Sequence, residues 1–352
     1  MEDMYTIATE APASKKSRAS TEHTIELVAD ALRPPLQESQ ILWLADGNLF
    51  LRSQGFMFRI HESILKMHST VFADELALPP PDSQYMVVQR VLADGFPVAL
   101  VDVTDSHLDW RILLGVLYNT SLIYHAGTNV TPVDTMLAML RLGQKYNFER
   151  FKNEALQQLK DMYPRSLKDL DMILDSEPDS RLDMLGRTPS GQEFKVLNGI
   201  LELRINTVLP MAYFFCLRAR PMVDILSRRD SPDEPEYLST ESVNALVLGK
   251  EEILTKYATR NFSWFHTGRT SGDCDSTRAC KKRINFVRKR LLETMETAID
   301  RLLDPPGDLV SDVLCKECAE EAIVAYNKSR QDVLDILPTL FGLPVWDELT
   351  DF

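Results

Sequence analysis

Cysteine is scarce in this chain: five in 352 residues, an odd number. That excludes a disulfide framework and points to a reducing, intracellular setting, cytoplasm or nucleus. Long apolar runs are missing as well. The longest, from Ile205 to Leu217, is interrupted by Pro210 and closed by Arg218 and Arg220, too short to span a bilayer. The N-terminus, MEDMYTIATEAPASKKSRAS, has no apolar stretch of the kind a secretory signal needs. Positive charge is in deficit, with 39 Lys and Arg against 52 Asp and Glu and a net charge of -13. Such a field repels phosphate backbones and anionic lipid, so neither nucleic acid nor membrane is expected as a partner. No repeat of fixed period is visible, which disfavours solenoids and propellers. No serine or cysteine nucleophile with an orienting acid can be placed beside His61 or His68, so a hydrolase triad has no support and the chain is not read as an enzyme.

What is present is an ordinary globular balance, 44% hydrophobic and 26% charged, in a chain long enough for two cores. Residues 1–38 read as a polar arm containing Pro34 and Pro35, with only Ile25 to Leu32 amphipathic. Order is expected from Ile41. The stretch ILWLADGNLFLRSQGFMFRIH alternates apolar and polar positions across Ser53 to Gly55, a hairpin pattern. Two short helices follow around Ile64-Leu65 and Val71-Phe72, with Ser69 a candidate N-cap between them. The segment from Pro79 to Pro97 reads as a surface excursion, because three consecutive prolines cannot donate to a ladder. Val98 to Val103 reads as a strand, and Asp105-Ser106 as the cap of a helix whose inner face is Leu108, Ile112, Leu113, Val116 and Leu117. Thr131-Pro132 with Asp134 opens a further helix in the manner of a capping box, and FERFKNEALQQL continues in helical period. From Ser166 the pattern is helical throughout, over 166–175, 193–209, 211–226, 240–260, 279–303 and 309–337. The closing LPTLFGLPVWDELTDF is too apolar for a free tail and is expected to dock on the helical half.

The order of these elements carries a resemblance. Residues 46–160 resemble a BTB/POZ domain. Asp46 leads the strand Leu49-Phe50-Leu51; Phe58-Arg-Ile-His61 precedes Leu65 and Ser69-x-x-Phe72; and Val101-Asp-Val103 precedes Trp110-x-x-Leu113 and Tyr118. The whole chain, with its closing FGLPxW, is similar to fungal, basidiomycete-type BTB proteins with a helical C-terminal half. Two features depart from the pattern: the inserted Pro79 to Pro97 excursion and a long hairpin loop. The resemblance implies an α+β N-terminal domain over 39–164, a short mixed sheet covered by helices, followed by an all-α domain over 165–352. It also implies a non-enzymatic interaction protein that self-associates or recruits partners, including a cullin-type ubiquitin-ligase scaffold. Partner contacts are expected along Asp109 to Tyr118 and Met136 to Tyr146. His61 is expected in a structural role, and Asp46 either in a groove between subunits or as a local turn residue.

Two motifs stand apart. Lys281-Lys-Arg283 and Arg288-Lys-Arg290 read first as the solvated face of an amphipathic helix; a nuclear import signal, and with it a nuclear or transcription-associated regulator, is the alternative. Cys315 and Cys318, at i and i+3, share a helix face, and Cys274 and Cys280 flank a Gly-Asp-Cys-Asp-Ser loop. Four thiolates at Cys274, Cys280, Cys315 and Cys318 would make a closed, structural zinc site. A single helix over 281–303 works against it, since a rise of about 1.5 Å per residue carries the chain roughly 34 Å from Cys280 and sets Cys315 near Leu302. An extended 304–314 returns about 36 Å at most. Buried small thiols are therefore the preferred reading and the zinc site the alternative. The resemblance adds that related fungal chains carry paired cysteines at these places. No other cofactor is expected.

Overall fold

The computed structural model describes residues 37–77, 83–93, 96–118, 132–174, 192–227, 237–257, 267–291, 299, 302–306 and 308–352. Of the arm expected over 1–38, residues 1–36 lie outside these residues, as do Pro79 to Pro81 and Thr131, while Gln37 and Glu38 belong to a strand. The chain divides into two compact units, residues 1–119 and 120–352, and it is α+β: a mixed five-stranded sheet in the first, helices in the second.

The first unit begins with β1 (Gln37–Trp43), β2 (Leu49–Ser53) and β3 (Phe56–Ile60). The hairpin between β2 and β3 closes on two residues, Gln54 and Gly55, both at positive φ (47° and 82°). This is the left-handed geometry that a two-residue turn demands and that glycine supplies without strain. The loop is thus short, not long. Helices α1 (Glu62–His68) and α2 (Thr70–Ala77) meet at Ser69, whose Oγ accepts from the Phe72 N–H at 3.0 Å. The chain then returns through β4 (Val87–Ala93) and β5 (Phe96–Val103) to α3 (His107–Leu117). Sheet order is β1-β3-β2-β5-β4, with β2/β5 and β1/β3 parallel and the other two pairs antiparallel.

Three expectations change here. Part of the supposed surface excursion is strand: Val87 to Ala93 pairs with β5 at the sheet edge, and it follows the three prolines rather than including them. Strand β1 starts before Ile41. The inner face of α3 is Trp110, Leu113 and Leu114, while Leu108 is 46% exposed. Trp110 meets Phe72 edge-on, centroids 5.8 Å apart, because the aromatic pair fills more of the space under the sheet than Leu108 would. The Ser106 cap is present, accepting from the Leu108 N–H.

The second unit opens with α4 (Val133–Tyr146) and α5 (Glu149–Met162). Pro132, the N-cap residue of α4, makes no side-chain cap bond, and Asp134 instead pairs with Lys195 at 2.7 Å. The helix ends at Asn147 in the left-handed region, φ 53°, whose N–H returns to the Gly143 carbonyl. The following helices are α6 (Leu167–Leu174), α7 (Gln192–Glu202), α8 (Leu209–Ala219), α9 (Met222–Leu226) and α10 (Thr240–Glu252), then α11 (Thr277–Leu291), α12 (Asp308–Ser311) and α13 (Lys316–Leu340). Helix α8 is buried from Leu209 to Leu217 and forms the centre of this unit. The tail docks as its composition requires: Phe341 lies beside Tyr213, Trp346 Nε1 donates to the Leu334 carbonyl, and Asp351 accepts from Thr207 N and Oγ1 at 3.0 and 2.9 Å.

Helices α4 and α5 approach closely at Gly143, where a Cβ would stand 2.8 Å from Lys152 Cβ. Gly→Ala inside a helix ordinarily stabilises by up to about 1 kcal/mol. Here Gly143→Ala is expected to cost about 1–3 kcal/mol by overpacking, measured as a lower midpoint in urea unfolding followed by circular dichroism.

Candidate metal centre

The residues singled out in the first unit come together in two groups. Phe58, Leu65, Phe72 and Leu113 are all core, each no more than 1% exposed. Asp46, His61 and Tyr118 form a polar chain at the rim. Tyr118 Oη accepts from the His61 backbone N–H at 2.9 Å and lies 3.2 Å from Nδ1, while His61 Nε2 is 3.3 Å from Asp46 Oδ2. This chain ties the end of α3 to the start of α1, a structural task. A backbone hydrogen bond and then His61 hold the Asp46 carboxyl below its ordinary value, and burial raises the Tyr118 phenol. The supposed contact face from Met136 to Tyr146 is not a display surface: Met136 to Leu140, Leu142, Gly143 and Tyr146 are buried. Helix α4 has apolar residues on nearly every side, which a one-faced helical reading cannot accommodate.

The four cysteines converge. The sulfurs of Cys274, Cys280, Cys315 and Cys318 all lie within 4.8 Å of one another, and Cys274 and Cys315 are 3.8 Å apart, too far for a disulfide. This approach overturns the expectation that a helix over 281–303 carries Cys315 away from Cys280. Helix α11 is described only to Leu291, about 16 Å of rise beyond Cys280. By Leu302 to Asp304 the chain is in a bend. Helix α13 lies along α11, with Cys280, Ile284 and Val287 sharing a core with Val310, Leu314, Cys318 and Ala322.

Each ligand position has a local cause. A turn places Cys274, whose N–H donates to the Ser271 carbonyl at 3.2 Å. Cys280 is the fourth residue of α11, and Cys315 is the N-cap of α13 with Cys318 in its first turn. Both helices thus begin at the cluster, where their dipoles favour negative charge. The Ser271 N–H also donates to Cys318 Sγ at 3.3 Å, and Ser271 Oγ to Glu321 at 2.7 Å. Ser271 went unnoticed in the sequence; the Ser-Gly step three residues before Cys274 was the available signal.

A tetrahedral ion with bonds of about 2.3 Å sets its sulfurs about 3.8 Å apart. The Cys274–Cys315 separation already has this value, and the widest pair needs to close by about 1 Å. In the absence of a cation burial pushes the Cys318 thiol up, with Cys274 and Cys315 adding to the shift. Four thiolates cannot share so small a volume unless a cation offsets their repulsion. The donor set thus fits a single soft divalent ion and leaves no open position for substrate. The fifth cysteine, Cys216, is buried in α8 and takes no part.

No family model, curated protein or solved structure matches the chain. Among the described residues no helix is long and apolar enough to cross a membrane.

Asp46 should titrate below the ordinary carboxylate range, and His61→Ala should move it back up, read by carbon-detected NMR. The sign follows from the depressed value: the contact stabilises the fold above the ordinary carboxylate value and is lost as pH falls through the lower, folded one.

Proposed function

We propose that the protein is a non-enzymatic interaction protein of the BTB/POZ type, acting in cytoplasm or nucleus, whose helical half is held by a structural zinc on Cys274, Cys280, Cys315 and Cys318. The observation that carries the zinc is the mutual approach of the four sulfurs to within 4.8 Å at the start of two helices. The choice of zinc follows from four thiolates in a closed shell, which suit a structural ion and leave no coordination site for hydrolytic chemistry. A zinc-dependent enzyme is disfavoured for that reason.

The interaction reading is supported by the arrangement of the first unit. A β2/β3 hairpin, two short helices, a strand parallel to β2 and a capped helix follow in the order that the resemblance implies. Its partners are proteins: a second copy, or a recruited chain such as a cullin-type scaffold. With α4 buried, the contact surface of choice is the outer side of α3, where Leu108 and Arg111 are exposed.

Purified full-length protein should contain one equivalent of zinc by plasma mass spectrometry. Less than a tenth of an equivalent, in protein purified without chelator and still folded, would exclude the site. Cys318→Ser should lose most of the metal and lower the thermal midpoint by several degrees. Because each thiol must shed a proton to ligate, metal retention should fall as pH is lowered from 8 to 5.

For the interaction reading, affinity purification of the full chain with mass spectrometry should recover a protein set that Leu108→Asp with Arg111→Glu depletes. Recovery of the same set by both would remove α3 as the surface. Recovery of none by either, with light scattering showing a monomer, would end the reading.

A further inference from the structure

Helix α11 does more than supply Cys280. Its fifteen residues, TRACKKRINFVRKRL, contain seven basic side chains and no acid, in a chain whose net charge is -13. The remainder of the molecule is correspondingly more acidic than the whole. Helical spacing sorts the residues cleanly. Cys280, Ile284 and Val287 face inward and are buried. Arg278, Lys282, Phe286 and Lys289, spaced four, four and three apart, form one stripe on the opposite side. All four are exposed, with Lys281 and Arg283 flanking them, and Phe286 is 51% exposed in the middle of the stripe. Among the described residues no carboxylate pairs with any of these five cations. An aromatic ring left in water inside a cationic stripe serves neither solubility nor packing, and the helix beneath it is anchored at its first turn by the cysteine cluster.

We propose that this face of α11 is a docking surface for a short acidic protein segment, its carboxylates on Arg278, Lys282 and Lys289 and an apolar side chain against Phe286. Charge complementarity selects an anion, and two facts about scale select a peptide. From Arg278 to Lys289 the stripe rises about 16 Å, the reach of about five extended residues. A nucleic acid duplex carries a charge every 1.7 Å or so along its axis and would run past the stripe, where the acidic remainder of the protein repels it. A five-residue acidic segment fits within the patch, and Phe286 gives it an apolar anchor that a sugar-phosphate backbone would not use. This surface deepens the interaction reading above and rests on it, naming the chemistry of one partner and placing it on the second unit rather than on α3.

The test uses the full-length, zinc-replete chain and fluorescence anisotropy with three labelled probes: a 12-residue peptide of Glu-Glu-Leu repeats, the same peptide with Lys for Glu, and a 20-base-pair DNA duplex. The acidic peptide should bind at least about tenfold more tightly than either of the others, and its affinity should weaken with salt. Lys282→Glu with Lys289→Glu should reduce that affinity at least about tenfold, and Phe286→Ser about threefold. Zinc content and thermal midpoint should be unchanged in both variants, because all three side chains are exposed. Tighter binding of the duplex, equal binding by wild type and the charge-reversal variant, or no binding of the acidic peptide would each overturn the proposal. Captured proteins separate this result from the broader reading: if the charge-reversal variant retains every partner that the wild type captures, the interaction reading stands and this surface is refuted.

Discussion

The helical half depends most on the meeting of four sulfurs at the shared start of α11 and α13. Among the described residues the core around them is made of Cys280, Ile284, Val287, Val310, Leu314, Cys318, Ala319, Ala322 and Tyr326. A cation held by all four sulfurs would fix the Ser271–Cys274 turn, the entry to α11 and the entry to α13 relative to one another.

Elsewhere in the second unit, arginine side chains tie distant segments together. Arg330, 3% exposed, donates to the Leu303 carbonyl at 2.9 Å and pairs with Asp171, and Arg218 holds Asp304 at 2.9 Å. These arginines secure the bend at Leu302 to Asp304 that brings the chain back toward α13. The bend and the cysteine cluster therefore lie on one path, the first turning the chain toward α13 and the second standing at its entry. A buried guanidinium that satisfies a carbonyl and a carboxylate together is costly to leave half-paired, so the bend is specified and not merely permitted.

What could be read from residue order divides along the same line between local and distant causes. The β2/β3 hairpin and the Ser69 and Ser106 caps were legible because each rests on a neighbour within a few positions: Gly55 at positive φ, a hydroxyl beside an N–H. Strand β4 was obscured by three prolines standing just before it, though Val87 to Ala93 itself contains none. Helix α4 misled in the other direction. MLAMLRLGQKY was expected to carry partner contacts, but α5 and α7 pack against it, as Gly143 against Lys152 and Gly199 against Leu137 show. The cysteine spacing was legible and its convergence was not, because Cys280 and Cys315 are 35 positions apart and their approach rests on the packing of α13 along α11, which no local pattern encodes.

Cys216 supplies a comparison inside the same molecule for the two readings of a free cysteine. It lies in the wholly buried stretch of α8, 1% exposed, and burial pushes its thiol up to about 12. That is what a small apolar residue with an inert S–H looks like. Cys274 and Cys315 differ in each respect: they are half-buried, they sit at a turn and at a helix N-cap, and their sulfurs face each other at 3.8 Å. Packing alone gives no reason to bring four thiols around one point with two of them near water, or to aim the Ser271 amide at a third. A common cation gives that reason for all four at once, and the same cation would hold the basic face of α11 in a fixed orientation toward solvent.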